Sequence, residues 1–146
     1  MPDAADAGRV LALDYGSRRI GIAVGDLATG LAFGRPALRR QGVDADVAAI
    51  AGLAGSEGAI RIVLGLPLHA GGEEGSQAAL VRAFGERLAE RGLKVAYHDE
   101  RLTTWQAAHE LGPRAARRRS GEVDSAAARL VLEDYLEATR RREGVR

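Results

Sequence analysis

Three carboxylates, Asp14, Glu100 and Asp124, stand where their neighbours predict chemistry. Asp14 ends the apolar run Val10-Leu11-Ala12-Leu13 and is followed by Tyr15 and Gly16. A short apolar run closed by a turn signal reads as a buried strand. Its terminal carboxylate is therefore held against the interior, and an unpaired buried charge is costly. It needs a cation, from the chain or from solution. Gly16, with no Cβ, lets the backbone come close to a ligand. Glu100 lies just past the last strand-like segment, and sites in open α/β sheets form outside the carboxyl ends of strands. Asp124 falls in the first turn of the final predicted helix, and its neighbours Ala127, Ala128 and Val131 form that helix's small apolar side. Asp124 is thus expected to point towards the sheet. Three carboxylates at one spot repel unless a cation sits between them. Ligation by oxygen alone suits Mg²⁺ or Mn²⁺. Each acid also has a structural reading: Asp14 as a turn residue bonded to local amides, Glu100 as a surface partner of Arg101, Asp124 as a helix N-cap.

Other candidates are weaker. Arg114, Arg117, Arg118 and Arg119 crowd one stretch, readable as a phosphate-binding strip or as a charged loop. Lys94 is the only lysine, so nearly all positive charge is guanidinium. Arginine suits bidentate phosphate contacts, although a base-rich genome produces the same bias. His98 and His109 lack a second histidine at the spacing zinc needs. His69 sits in a glycine-rich loop and reads as solvated. Trp105 could stack on a base or fill core. The loop over residues 65–75 could approach phosphates through its amides, but without a Gly-Lys-Ser/Thr ending it is not a Walker A loop.

The elements that must position these residues follow from pattern. Strands are expected at 9–14, 20–24, 32–38, 60–64 and 93–98; Gly34 and Pro36 assign the third to an edge. A helix capped by Asp44 or Asp46 should run to about 54, with Val47, Ile50 and Ala54 on its buried stripe. A second starts at Ser76, is striped by Leu80, Phe84 and Leu88, and stops at Gly92. A short helix over about 104–111 and a final one over about 123–141 complete the chain. The first three strands read as an antiparallel meander. The later alternation of strand and helix implies two parallel strands joined by right-handed crossovers. The fold class is therefore α/β: a mixed sheet with helices on both faces.

The 146 residues carry no obvious linker, which predicts one domain over 9–141 between a disordered N-terminus (1–8) and a short tail (142–146). A 46% hydrophobic share suffices for a core, and a net charge of +1 gives no global basic field. Cysteine is absent, which removes disulfides and thiolate metal sites. The N-terminus lacks signal-peptide character, and no apolar run nears the roughly 20 residues that span a bilayer. A soluble, cytoplasmic protein is expected.

The same residues carry a resemblance. Asp14-Tyr15-Gly16, Arg19-Ile20-Gly21-Ile22-Ala23 and Asp26 resemble the opening of the YqgF/RuvX family. Gly65-Leu66-Pro67 resembles its central loop, Asp99-Glu100-Arg101-Leu102-Thr103-Thr104 its most distinctive motif, and Val123-Asp124 with Ala126-Ala127-Ala128, Leu132 and Tyr135-Leu136 its last helix. The resemblance implies an RNase H-like fold and an acidic site of Asp14, Glu100 and Asp124 holding Mg²⁺ or Mn²⁺. It implies a nuclease that processes the 5′ end of pre-16S ribosomal RNA, or one that resolves Holliday junctions. Nucleic acid is then the partner, pre-rRNA or branched DNA, with Arg18, Arg101, Thr103 and the arginines at 114, 117, 118 and 119 contacting phosphates, and the protein a monomer or homodimer. A catalytically inert nucleic-acid-binding domain and an actin-like nucleotide-binding module are the other classes open. Related resolvases often carry a fourth acid one turn after the third; here those positions are Ala127 and Ala128, which implies a more weakly held second metal. Gly25 and Trp105 also depart from the family pattern.

Overall fold

A computed structural model describes residues 8–99 and 120–144, with the side chains of 120–125 and 142–144 outside that description. Five strands form one sheet in the order β3-β2-β1-β4-β5: β1 (Arg9–Tyr15), β2 (Arg19–Asp26), β3 (Ala32–Arg39), β4 (Ala59–Leu66) and β5 (Val95–Asp99). β1, β2 and β3 form the expected antiparallel meander. β4 runs parallel to β1, and β5 parallel to β4. The helices are α1 (Val43–Glu57), α2 (Ser76–Glu90) and α3 (Ser120–Gly144). The short helix expected over 104–111 lies outside the described residues.

β1 is the central strand, and its alternation supplies two cores. Leu11, Leu13 and Tyr15 pack with Ile20, Ile22, Ile62 and Leu64 beneath α1 and α2. Val10 and Ala12 pack with Ala23 and Val63 beneath α3. Burying both faces explains the near-continuous apolar run. Each such Leu or Ile withdrawn from water contributes roughly 1.5–3 kcal/mol before entropy is counted.

α1 buries Val47, Ile50 and Ala54 as their spacing predicts. Its N-cap is different from expectation: Gly42 occupies it with no side-chain cap bond, and Asp44 and Asp46 lie in the first turn. Asp46 is only 1% exposed. It turns back to accept from Arg40 Nε and the Gln41 amide, each at 2.8 Å. The carboxylate found a better donor than the helix's own amides. α2 starts at Ser76, but its buried residues are Ala78, Val81, Phe84, Gly85 and Leu88. Leu80 is 57% exposed. The stripe follows i, i+3, i+7 and i+10, not a strict interval of four, because a helix turns in 3.6 residues.

α3 lays Ala128, Val131, Leu132, Tyr135 and Leu136 on the other face of the sheet. The Tyr135 hydroxyl accepts from Arg61 Nη1 at 2.6 Å. The helix comes close to the sheet at Gly25 of β2. A Cβ there would lie 2.8 Å from the Leu31 carbonyl oxygen, 2.9 Å from Leu132 Cδ2 and 3.0 Å from Leu136 Cδ1. Glycine at this position is what lets α3 settle.

Two substitutions test this frame. Gly25→Val should lower stability by about 1–3 kcal/mol, the usual cost of overpacking, read as a lower urea midpoint; an unchanged midpoint would show that α3 does not bear on β2 here. Asp46→Ala should cost roughly 3 kcal/mol by stranding the Arg40 guanidinium. Adding Arg40→Met should recover part of that loss, whereas additive losses in the double variant would contradict the pairing.

Candidate functional site

The site is built on the end of β1. Asp14 is two residues beyond Ala12, so it emerges on the face that α3 covers. In the antiparallel ladder it pairs with Gly21. The parallel β1–β4 register pairs Leu13 with Leu64, and one further step brings Asp14 level with Gly65. Gly65 is level with His98 of β5. The row across the sheet is Gly21, Asp14, Gly65, His98. A partly exposed carboxylate thus stands between two residues without side chains. β1, β4 and β5 are parallel, so all three end at this edge.

The opposite face holds the strand end in place. Tyr15 stacks on Phe84 with ring centroids 4.4 Å apart. The Arg40 guanidinium lies 4.4 Å from the Tyr15 ring centroid and donates to the Gly16 carbonyl at 3.1 Å. Gln77 Nε2 donates to the Tyr15 carbonyl at 3.2 Å. The turn after β1 is closed by the Gly16 amide donating to the Arg19 carbonyl at 2.9 Å. A Cβ on Gly16 would lie 2.6 Å from that oxygen. Glycine is required here by crowding in the turn.

The loop leaving β4 is also braced. Leu68 and Glu74 form an antiparallel bridge. Both oxygens of Glu74 accept from Arg82, at 2.6 and 2.7 Å. That hydrogen bonding, with the arginine's charge behind it, holds the Glu74 carboxyl below the usual carboxylate range. A depressed carboxyl pKa favours the folded loop above the unfolded pKa, and the contribution is lost as pH falls through the folded one. At the end of β5, His98 Nε2 lies 2.5 Å from Asp134 Oδ2 of α3. The His98 ring meets Tyr135 edge-on at 6.2 Å.

The predicted residues distribute as follows. Asp14 is on β1 at the shared edge. Arg18 is exposed in the β1–β2 turn. Asp124 belongs to α3, one helical turn before the buried Ala128, with its side chain outside the description. Glu100, Arg101, Thr103, Arg114, Arg117, Arg118 and Arg119 lie outside the described residues, as does Trp105. Among the described residues, no three His, Cys, Asp or Glu side chains gather as a metal site. An open cleft of about 760 Å³ lies between the β2–β3 turn and α3, lined by residues that include Gly30, Leu31, Glu137 and Arg140. It is at the far end of the sheet from Asp14, since Arg9 pairs with Asp26 there. Sequence reasoning missed the His98–Asp134 contact, which joins residues 36 apart. Strand parity placing His98 on the α3 face was the only signal for it.

Comparisons with known proteins agree with this geometry. The model of the family RuvX, described as Holliday junction resolvase, matches residues 8–138. A Thermus thermophilus protein named "Putative pre-16S rRNA nuclease" is 43% identical over 130 residues, covering 88% of this chain and 96% of its own. The "Ribonuclease YqgF" of Deinococcus radiodurans is 43% identical over 137 residues, covering 92% and 93%. Among solved structures, T. thermophilus RuvC in complex with a Holliday junction superposes with a TM-score of 0.55 at 14% identity, covering 90% of this chain and 95% of that one. The large terminase nuclease of phage G20c gives 0.53 at 14%, covering 88% and 82%. These two likenesses show the shared RNase H-like fold. With the family model matched from the start of β1 to near the end of α3, and curated relatives matched almost end to end, this chain belongs to the RuvX family.

Proposed function

We propose that this chain is a divalent-metal-dependent nuclease that trims the 5′ end of pre-16S ribosomal RNA in the cytoplasm. The observation that carries the reading is the position of Asp14. It is a carboxylate on the central strand, at the edge where three parallel strands end, with Gly21 across from it on β2. The names borne by relatives at 43% identity support nuclease chemistry over a nucleotide-binding or inert module.

In this reading Asp14, Glu100 and Asp124 hold Mg²⁺ or Mn²⁺. The donor set is all hard oxygen, as those ions require. A divalent ion there would neutralise charge on the reacting phosphate and supply an activated water. The chain's own part is positioning. The ladder to Gly21 and the grip on Tyr15 fix where the Asp14 carboxylate stands. Glu100 follows the last residue of β5 in the chain, and Asp124 precedes the buried Ala128 by four residues. Arg18, Arg101, Thr103, Arg114, Arg117, Arg118 and Arg119 hold backbone phosphates, which sets register without reading bases. A second substrate, the four-way DNA junction, is favoured by the description of the family. Its two-fold symmetry would call for a dimer, whereas trimming a leader needs one subunit.

The test is cleavage of a ribosomal RNA leader and of a four-way DNA junction, side by side, with Mn²⁺ or Mg²⁺. The wild-type chain should cut the leader, and a chelator should stop it. Asp14→Asn should keep the fold and lose about a hundredfold or more in rate, since losing a group that merely supports a metal ligand already costs about ten- to a hundredfold. Wild-type rates in that variant would remove Asp14 from the chemistry. Cutting of the junction alone would move the substrate to DNA.

A further inference from the structure

The sheet has two edge strands, and among the described residues no strand lies beyond β3. An edge strand offers unpaired N–H and C=O groups to any strand that comes alongside. The later half of β3 carries the usual guards, two arginines and a proline: Arg35, Pro36 and Arg39. The earlier half carries none. Leu31, just ahead of the strand, is 57% exposed, and Phe33 is 55% exposed. With the buried Val24 these two line a pocket of about 340 Å³. It opens on the face of the sheet that α1 and α2 cover further along.

Which backbone groups β3 offers follows from its ladder with β2. The Asp26 amide donates to the Leu31 carbonyl at 3.0 Å, so that pair is hydrogen-bonded. Bonded and non-bonded pairs alternate in an antiparallel ladder. Val24 with Phe33 is therefore a bonded pair, and Ala23 with Gly34 is not. The N–H and C=O groups of Ala32 and Gly34 thus point away from β2. These two residues complement themselves. A second β3, laid antiparallel about an axis through Phe33, sets Ala32 against Gly34 of the second copy and Gly34 against its Ala32. Four backbone hydrogen bonds close. The next bonded rung would join Gly30 to Pro36. The Gly30 amide already donates to the Asp26 carbonyl at 2.8 Å, and proline has no N–H. The seam is bounded at both ends. At its centre Phe33 meets its own copy in a non-bonded pair, where side chains come closest.

Charge favours the same register. Asp26 accepts from the Ala28 amide at 2.8 Å. Among the described residues its carboxylate has no basic partner. Arg9, its ladder neighbour, turns to Glu57 at 3.1 Å. In the seam, Arg35 of the second copy stands opposite Leu31, whose other neighbour is Asp26. Alternation puts Asp26, Leu31 and Arg35 on one face. Two strand spacings, roughly 10 Å, separate Asp26 from that Arg35 at the backbone, and the two side chains span it. Arg35 donates its Nε to Glu57, and a guanidinium with five N–H donors can serve a second carboxylate. We propose that the first half of β3 is a homodimer seam. Two copies join edge to edge about Phe33, and Asp26 of each faces Arg35 of the other. An axis that pairs edge strands within one sheet stands normal to it, so both copies keep the same face up. Both Asp14 carboxylates then emerge on one side, five strand spacings or roughly 24 Å apart across the sheet. A two-fold substrate would meet both. The seam itself rests on no part of the nuclease reading.

The test is the mass of the full chain in solution, without nucleic acid or metal. Sedimentation equilibrium should show the 15.4 kDa of one chain when dilute and twice that mass when concentrated. Phe33→Thr keeps a strand-forming residue and should weaken association by about tenfold or more. Gly34→Pro should do the same by removing an N–H that β2 does not use. Leu80→Thr removes an apolar side chain on α2 that is 57% exposed, and association should not change. Asp26→Asn and Arg35→Gln should each weaken association, and the double variant should lose less than the two losses added. Unfolding of dilute Phe33→Thr should match that of the dilute wild-type chain. Hydrogen exchange at the Ala32 and Gly34 amides should slow only in the concentrated sample. A wild-type chain that stays monomeric when concentrated would overturn the seam. So would a dimer that forms equally well in Phe33→Thr, or one that leaves both amides unprotected. Growth beyond two copies would overturn the closed axis.

Discussion

β1 is buried on both faces, and that constraint governs the rest of the molecule. Its side chains serve two separate cores, one under α1 and α2, the other under α3. A charge could not stand in the middle of such a strand without a partner. Asp14 stands at its end instead, where the neighbouring positions on both flanking strands are glycine. The backbone that carries the carboxylate is rigid because its strand is central, and rigid placement is what a group that works on a ligand requires.

The two faces of the sheet divide the labour. On the α1 and α2 face, Tyr15 is clamped between Phe84 and the Arg40 guanidinium, and Arg40 is in turn held by the buried Asp46. That assembly fixes the strand end and its turn from behind. On the α3 face the residues are small. Gly25 and Ala23 let the helix come close, and Gly21 is the register partner of the acid. The Arg61–Tyr135 and His98–Asp134 contacts tie α3 to β4 and β5, the strands on the far side of β1. The helix that carries Asp124 is therefore attached across most of the sheet.

Family membership and geometry bear on different questions. The match over residues 8–138 says which fold and which relatives apply. It does not say what holds the strand at position 14 in place, and the ladder to Gly21 and the clamp on Tyr15 do.

Much of the fold was legible along the chain. Alternation and apolar runs located all five strands to within a few residues, because side-chain direction in a strand is a local property with a period of two. The meander followed from short turns, the edge position of β3 from Gly34 and Pro36, and the parallel pairing of β4 and β5 from the helices between the later strands. Asp14 was legible for the same reason. Where position depends on partners distant in the chain, local pattern was not enough. Leu80 reads as buried and is exposed, while Val81 is inside, because the sheet sets which side of α2 is covered. Asp46 reads as a helix cap and instead holds Arg40, whose nearness comes from the end of β3. The row of Gly21, Asp14, Gly65 and His98, and the facing of Arg19 and Arg39, exist only once strands are in register. A single chain specifies its own alternation, but which residue lies across from which is decided by hydrogen bonding between segments far apart, and only the folded sheet supplies that.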